Sequence, residues 1–418
     1  MIYAAIALTV LCSLIALVWV SRHIMIFAEK RRGFILDENY RGKSAQRPFV
    51  SVVVAAKDEQ ENIERCVRSM LAQEYDNFEM IVCNDRSSDR TAEIVEVIAR
   101  EDSRVRLINI THLPEGWGGK NNAMQTGIKE ARGEWICMID ADCEQTSRRS
   151  LSAAVEHALD SGSDLLSVLP VLEMKGFWEN VVQPVCGGVM IIWFHPDKVN
   201  SPRYPNAYAN GAFMLMRREA YDAIGGHAAV RTCVNEDMHM AALVKQAGLK
   251  LRVVRNVDLY TVRMYTSLKQ IFRGWSRIFY GTFVTFKRIA VSLAVLTIVS
   301  MLPYTLAALG WSMALGDAQP QAWWWACAIA ATIAVALQMG VMVRYYRLTN
   351  ARASLAWTYF LGACVAFACL VSALGKLRKG AKIVWRNTSY AAAGTQVTAP
   401  VIRNVRTTAP KSDKVSVR

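Results

Sequence analysis

None of the ten cysteines stands in a CxxC pair or at a metal-ligand spacing, which excludes a zinc ribbon and a disulfide framework. Cys12, Cys327, Cys364 and Cys369 lie in apolar runs, where a thiol is simply a small hydrophobe, so the chain reads as one from a reducing compartment. No Ser-His-Asp or Cys-His arrangement is present, and the one Gly-rich stretch lacks the spacing of a Walker loop. Acid is lacking towards the C-terminus. From Lys376 onward ten Lys or Arg face a single acid, Asp413, giving +9, and Arg344 to Gly375 adds three Arg and no acid, giving +3. Of the total +14, only +2 is left for residues 1–343. A nucleic-acid reader would carry its basic patch on the folded unit, so no nucleic-acid partner is expected. Basic charge beside apolar helices suits anionic lipid headgroups instead.

Charge is also lacking from Met1 to Ser21, and Arg22, Lys30, Arg31 and Arg32 follow. A signal peptide would put its charges before the apolar run, so residues 1–21 read as a transmembrane anchor with a cytoplasmic far side. Residues 22–47 read as a polar linker and 48–266 as a soluble α/β domain. Residues 267–288 mix aromatics with Lys269, Arg273, Arg277, Lys287 and Arg288, the pattern of an interfacial amphipathic helix. Residues 289–375 hold three uncharged stretches, 289–316, 318–343 and 353–375, each able to carry a spanning helix of ~20 residues. Pro303 is expected to kink the first, and Trp323 to Trp325 fit an aromatic belt. The expected location is therefore a membrane, multi-pass, such as a bacterial inner membrane, with the α/β domain cytoplasmic. A loop bearing Asp317 belongs outside and one bearing Arg344, Arg347 and Arg352 inside. A full third crossing would then put the basic tail, 376–418, outside, against the positive-inside rule; either Ala353–Gly375 re-enters or the rule fails. From about Ala391 the tail is polar and reads as disordered.

Within the α/β region, Phe49–Ala56, Phe78–Cys83, Val105–Ile110, Trp135–Ile139 and Leu165–Val171 are apolar, β-rich runs separated by helical patterns. This alternation implies a mostly parallel sheet covered on both faces. Ser88 or Asp89 is a plausible N-cap for the helix carrying Glu93. Val181–Phe194 is uncharged, broken by Pro184 and Gly187-Gly188, and reads equally as core or as a greasy surface offered to lipid.

Ligands bind at the carboxyl ends of strands in open α/β sheets. There Trp135–Ile139 delivers Asp140 and Asp142, which share a side in an extended chain and make a hard oxygen site for Mg2+ or Mn2+. In Leu113-Pro-Glu-Gly-Trp-Gly-Gly-Lys120 the glycines permit close backbone approach, and Lys120 stands at a helix start, where phosphate is attracted. Glu236 and Asp237 open a later helix, where acids are either dipole compensation or, for Asp237, a base aimed into a site. His239, two residues on, faces elsewhere.

Together these motifs resemble the inverting glycosyltransferases of family 2 with the GT-A fold, a Rossmann-like, mostly parallel sheet. The likeness is to their membrane-anchored branch that glycosylates ceramide, hopanoid or carotenoid lipids. It covers about Pro48 to Tyr280 and the flanking membrane helices. The resemblance implies nucleotide binding by Asp58, Glu59 and Asp85, and a diphosphate beside Lys120. It implies a metal on Asp142 helped by Asp140, and Glu236-Asp237 with Asp237 as catalytic base. The donor would be a UDP-sugar and the acceptor a hydroxyl of a membrane lipid; a processive polysaccharide synthase and a non-catalytic nucleotide-sugar-binding membrane protein are the alternatives. The family's Gln-x-x-Arg-Trp is altered to Gln270-Ile-Phe-Arg-Gly-Trp275, which leaves the diphosphate roles of Arg273 and Trp275 as expectations from the likeness alone. Trp385-Arg-Asn-Thr-Ser-Tyr390 is similar to a Trp-x-Gly-x-x-Tyr ending without its Gly.

Overall fold

The computed structural model describes residues 1–29, 34–316, 319–378, 382–385 and 388–391. The chain opens with helix α1 (Ile2–Glu29) and a short strand β1 (Ile35–Leu36). Alternating elements follow: β2 (Val50–Ala56), α2 (Ile63–Leu71), β3 (Phe78–Asp85), α3 (Thr91–Glu101), β4 (Val105–Ile110), α4 (Gly119–Glu130) and β5 (Trp135–Asp140). Then come β6 (Cys143–Gln145), α5 (Ser150–Ser161), β7 (Leu165–Leu169), β8 (Val171–Leu172), α6 (Phe177–Trp193), α7 (Pro196–Val199), β9 (Phe213–Arg217), α8 (Arg218–Ala223) and α9 (Gly226–Ala229). The domain closes with α10 (Glu236–Gln246), β10 (Leu251–Asn256) and β11 (Tyr260–Val262). Helices α11 (Leu268–Phe283), α12 (Phe286–Val295), α13 (Leu302–Leu315), α14 (Gln321–Leu348) and α15 (Tyr359–Gly375) come next, followed by strands β12 (Lys382–Trp385) and β13 (Thr388–Ala391).

Eight strands form the main sheet in the order β1-β10-β7-β9-β5-β2-β3-β4, parallel except for β9, which runs against both β5 and β7. The β-branched run of β2 explains its central place. Val50, Val52, Val53 and Val54 are all fully buried between the two helical layers, each worth roughly 1.5–3 kcal/mol on burial. A second sheet, β6-β11-β8, lies beyond the ends of β5 and β7.

Several expectations are corrected. The helix that was to end at Ser21 continues to Glu29, and the expected linker contributes β1, paired in parallel with β10, with Leu36 fully buried. The apolar Phe34-Ile-Leu36 was masked by its polar surroundings. Val181–Phe194 belongs to one continuous helix, α6, which passes through Pro184 and Gly187-Gly188 and buries Val181, Val182, Val185 and Cys186 as core. The expected interfacial helix 267–288 is two helices, divided at Val284, whose φ is 56°. The apolar face of α11 is covered by protein, with Ile271, Trp275, Phe279 and Phe283 packed against α6 and α15. Strands β10 and β11 were not expected. The N-cap of α3 is Arg90, neither Ser88 nor Asp89, and Asp89, one residue earlier, accepts the N–H of Thr91 at 3.0 Å.

Four helices among the described residues are long and apolar enough to cross a membrane: Ile2–Ile26, Phe286–Leu315, Gln321–Leu348 and Ala353–Gly375. The second contains a π-helical turn, Leu296–Met301, just before Pro303, where a local widening accommodates the ring. Asp317 and the tail from 392 lie outside the described residues, as do Arg386 and Asn387 of the C-terminal motif.

Candidate active site

The carboxyl ends of β2, β3 and β5 open into a cavity of about 260 Å³, closed from the other side by the start of α10 and by one face of α11. The turns after β2 and β3 are stitched to each other. Lys57 Nζ donates to the carbonyls of Asp85 (3.2 Å) and Arg86 (3.0 Å), and Glu59 N–H donates to Thr91 Oγ1 at 2.8 Å. Asp58, at φ 52°, accepts the Ser88 N–H (2.8 Å) and hydroxyl (3.1 Å). It braces this turn, and it does not line the cavity. Glu59 and Asp85 do line it. Asp85 is buried, its carboxylate taking the Arg86 guanidinium at 2.8 and 3.0 Å.

Lys120, on the first turn of α4, joins the two acidic motifs. Its ammonium lies 2.6 Å from Asp140 Oδ1 and 2.7 Å from Glu236 Oε1. Burial alone would depress its pKa, but the charges of Asp140, Glu236 and Asp237 outweigh it and hold the group well above its usual range. Asp142 lines the same cavity two residues after Asp140. Asp237 is fixed by two backbone amides: Gly211 N–H donates to Oδ2 at 2.8 Å, and Met238 N–H to Oδ1 at 2.7 Å. Burial, and next the charge of Glu236, push its carboxyl up to about 7, against the opposing pull of Lys120. A pKa near neutrality is what a general base requires. A Cβ at Gly211 would meet Lys120 Nζ at 3.1 Å and Asp237 Oδ2 at 3.4 Å, so the wall opposite Asp237 is bare backbone.

The start of α10 is also tied to α11. Asn235 Nδ2 donates to Ile278 O at 3.0 Å and to Thr282 Oγ1 at 2.7 Å, and a Cβ at Gly281 would lie 2.9 Å from the Asn235 amide carbon.

Two sequence-predicted residues fall elsewhere. Arg273 is exposed and Trp275 is buried among apolar side chains, its ring 5.5 Å from that of Phe279; neither lines the cavity. Arg277 and Tyr280 of the same helix line it, together with Tyr265. The inserted Gly274 accounts for this arrangement, because the Tyr265 ring lies where a Cβ would stand. The structure thus gathers Glu59, Asp85, Lys120, Asp140, Asp142, Glu236 and Asp237, and leaves Asp58, Arg273 and Trp275 outside. His239 is outside as well. Lys57, Gly211, Asn235, Tyr265, Arg277 and Tyr280 were missed. Only Arg277 carried a signal, as one of the basic residues interleaved with aromatics in 267–288.

Residues 51–225 match the family model for glycosyl transferase family 2. This chain carries a family 2 glycosyltransferase domain. A 4,4'-diaponeurosporenoate glycosyltransferase of Staphylococcus haemolyticus is 24% identical over 245 residues, 58% of this chain and 63% of that protein. A beta-monoglucosyldiacylglycerol synthase of Trichormus variabilis is 28% identical over 182 residues, 43% of this chain and 38% of the other. The chain thus spans between 26% and 63% of the length of curated relatives it matches. Among solved structures, a mannosyltransferase from Pyrobaculum calidifontis in complex with GDP-Man and Mn2+ superposes with a TM-score of 0.50 at 18% identity, covering 88% of this chain and 98% of that one. That likeness is one of fold. The glycosyltransferase domain has the GT-A architecture, a mostly parallel mixed sheet between helices.

Proposed function

We propose that the protein transfers a sugar, with inversion, from a UDP-sugar to a hydroxyl of a membrane lipid, in a metal-dependent reaction at a multi-pass membrane protein with a cytoplasmic catalytic domain. The observation that carries this reading is the convergence of Asp140, Asp142, Lys120, Glu236 and Asp237 on one cavity, although some 95 residues of chain separate the two acidic motifs.

Asp237 has the burial, the fixed geometry and the elevated pKa of a base. It would take the acceptor's hydroxyl proton as the acceptor oxygen bonds to the anomeric carbon and the bond from that carbon to the diphosphate oxygen breaks. Glu236 holds Lys120 and keeps Asp237 basic by its charge. Lys120 and Arg277 place positive charge where the departing diphosphate gains negative charge. Asp142 and Asp140 are the fitting ligands for Mg2+ or Mn2+: both are oxygen donors facing the cavity, and Asp140 keeps a side-chain exposure of 35%. No group of three or more His, Cys, Asp or Glu is poised to hold a metal among the described residues, so donor oxygens would complete the shell. A bound divalent ion would supply charge neutralisation to the leaving diphosphate.

The lipid acceptor is favoured by the construction of the cavity wall from α11, whose opposite face packs on α6 and α15. The two lipid-modifying relatives agree with it. A processive synthase is disfavoured because the family's Gln-x-x-Arg-Trp is interrupted by Gly274 and its Trp275 is buried away from the cavity. The deciding experiment is mass spectrometry of lipids from cells expressing the protein beside an Asp142→Ala control. A new hexosylated lipid absent from the control is expected; identical lipid profiles would overturn the reading.

A further inference from the structure

Three of the four apolar spans pack as one bundle of alternating direction. Helices α1 and α14 run parallel: Thr9 Oγ1 reaches Trp323 O at 3.4 Å, and farther along His23 contacts Leu337 O and Arg344 Nη1, each at 3.0 Å. The α12–α13 span runs against α14, with Gln338 Nε2 donating to Ser300 O at 3.1 Å at mid-span and, farther along, Trp311 Nε1 to Thr332 Oγ1 at 3.0 Å. The C-terminal end of α14 meets the catalytic domain, where Arg255 of β10 donates to Leu348 O at 3.2 Å.

The fourth stretch behaves differently, because both of its ends meet the catalytic domain. At its start, Arg352 N–H donates to Asn180 Oδ1 at 2.8 Å and the Arg352 guanidinium to Lys175 O at 3.0 Å. Both acceptors lie at the beginning of α6, a helix that cannot cross because β8 precedes it and Asn200, shortly after it, pairs with Val253 of β10. Near its finish, Cys369 Sγ points at Phe272 O of α11 at 3.8 Å, and Lys376 is near enough to Arg277, a cavity residue, for the two charges to oppose one another.

Between these ends α15 packs along α12 and the π-helical turn of the second span on one side and along α6 and α11 on the other. Tyr359 donates to Ser300 Oγ at 2.9 Å and the Phe360 ring lies 5.1 Å from Tyr304. Gly362 then sits on the carbonyl of Val181, an approach that any Cβ would block. With 17 residues, α15 matches α6 (17 residues) and α11 (16 residues) in length, so it runs about 25 Å alongside them. Its uncovered side is apolar and continuous with the spans: Trp357 is 68% exposed, Leu361 40% and Val371 46%.

We propose that Ala353–Gly375 dips into the leaflet adjoining the catalytic domain and returns without crossing. The chain then crosses the membrane three times, and everything from Lys376 onward lies on the catalytic side. The occupant of the exposed face of α15 is the acyl-chain region of that one leaflet. Charge agrees with this placement: the ten Lys or Arg from Lys376 onward join Arg344, Arg347 and Arg352 on a single side, as the positive-inside rule requires. This inference is independent of the reaction performed in the cavity.

The test uses the full-length protein in sealed right-side-out and inside-out vesicles. Epitope tags are placed at Gly162, in an exposed turn of the catalytic domain, between Gly316 and Gln321, and after Arg418. The C-terminal tag is expected to be protease-sensitive in the same vesicles as the Gly162 tag and protected where the 316–321 tag is cleaved. A C-terminal tag that follows the 316–321 tag would overturn the inference. Should a tagged form fail to accumulate, Lys376→Cys with a membrane-impermeant maleimide gives the same reading. Labelling from the catalytic side supports three crossings, and labelling only from the other side refutes them.

Discussion

Replacing Asp237 by asparagine should silence the enzyme while shifting its stability relative to wild type in the variant's favour as pH rises from 5 through 7. An unfolded Asp ionises near ~3.9. In the folded protein, burial and Glu236 keep this carboxyl protonated up to about 7. Between those values the native state binds more protons than the unfolded chain. The stabilising contribution of the neutral acid is therefore complete below ~pH 4 and lost as pH rises through the folded pKa near 7. A shift of about three units corresponds to at most ~4 kcal/mol. Asparagine cannot ionise and does not lose this contribution. It does leave one of two amides, Gly211 N–H or Met238 N–H, without its carboxylate oxygen, at a pH-independent cost of roughly 1–3 kcal/mol. The diagnostic is thus the slope and not the offset. Apparent unfolding temperatures of metal-stripped protein in nanodiscs, taken at pH 5, 6, 7 and 8, should show the gap moving in the variant's favour by on the order of 10 °C at most. A gap that stays constant across this range refutes the buried-acid argument. In the wild type, kcat/KM should climb about tenfold per pH unit below 7 and level above it.

Gly211→Ala puts a methyl group against Lys120 Nζ and Asp237 Oδ2; kcat should fall by roughly 10- to 100-fold with donor KM little changed, since a small misplacement at the reacting centre suffices. Steady-state kinetics check this. Arg277→Met should weaken donor use about tenfold or more, whereas Arg273→Met should leave it within twofold, because only Arg277 faces the cavity; nucleotide titration by calorimetry separates the pair. Asn235→Ala removes two hydrogen bonds between α10 and α11, costing about 1–3 kcal/mol. It should lower kcat while donor affinity, measured by the same titration, stays unchanged.

The sequence made the central strands legible because β2, β3 and β5 are mostly apolar runs with acids at or just past their ends, and burial on both faces favours that pattern. The short strands β1 and β11 carry two and three residues and no periodicity to read. Helix α6 was obscured by Pro184 and a Gly pair, which tertiary packing against α15 overrides. Within the site, charged motifs next to strand ends were readable by position. Gly211 and Asn235 were not, because one acts through a backbone amide and the other through contacts with residues more than forty positions away. Asp58 was expected from the family resemblance alone, and in the structure its left-handed backbone turns the carboxylate onto Ser88.

The amide of Asn235 has a mechanical meaning. It rivets the N-terminus of the helix bearing Asp237 to a helix packed on the apolar layer of α6 and α15, so sheet and helical layer share one joint. Solubilising agents that loosen that layer would then unseat the carboxylate and dim turnover while the sheet itself stays intact.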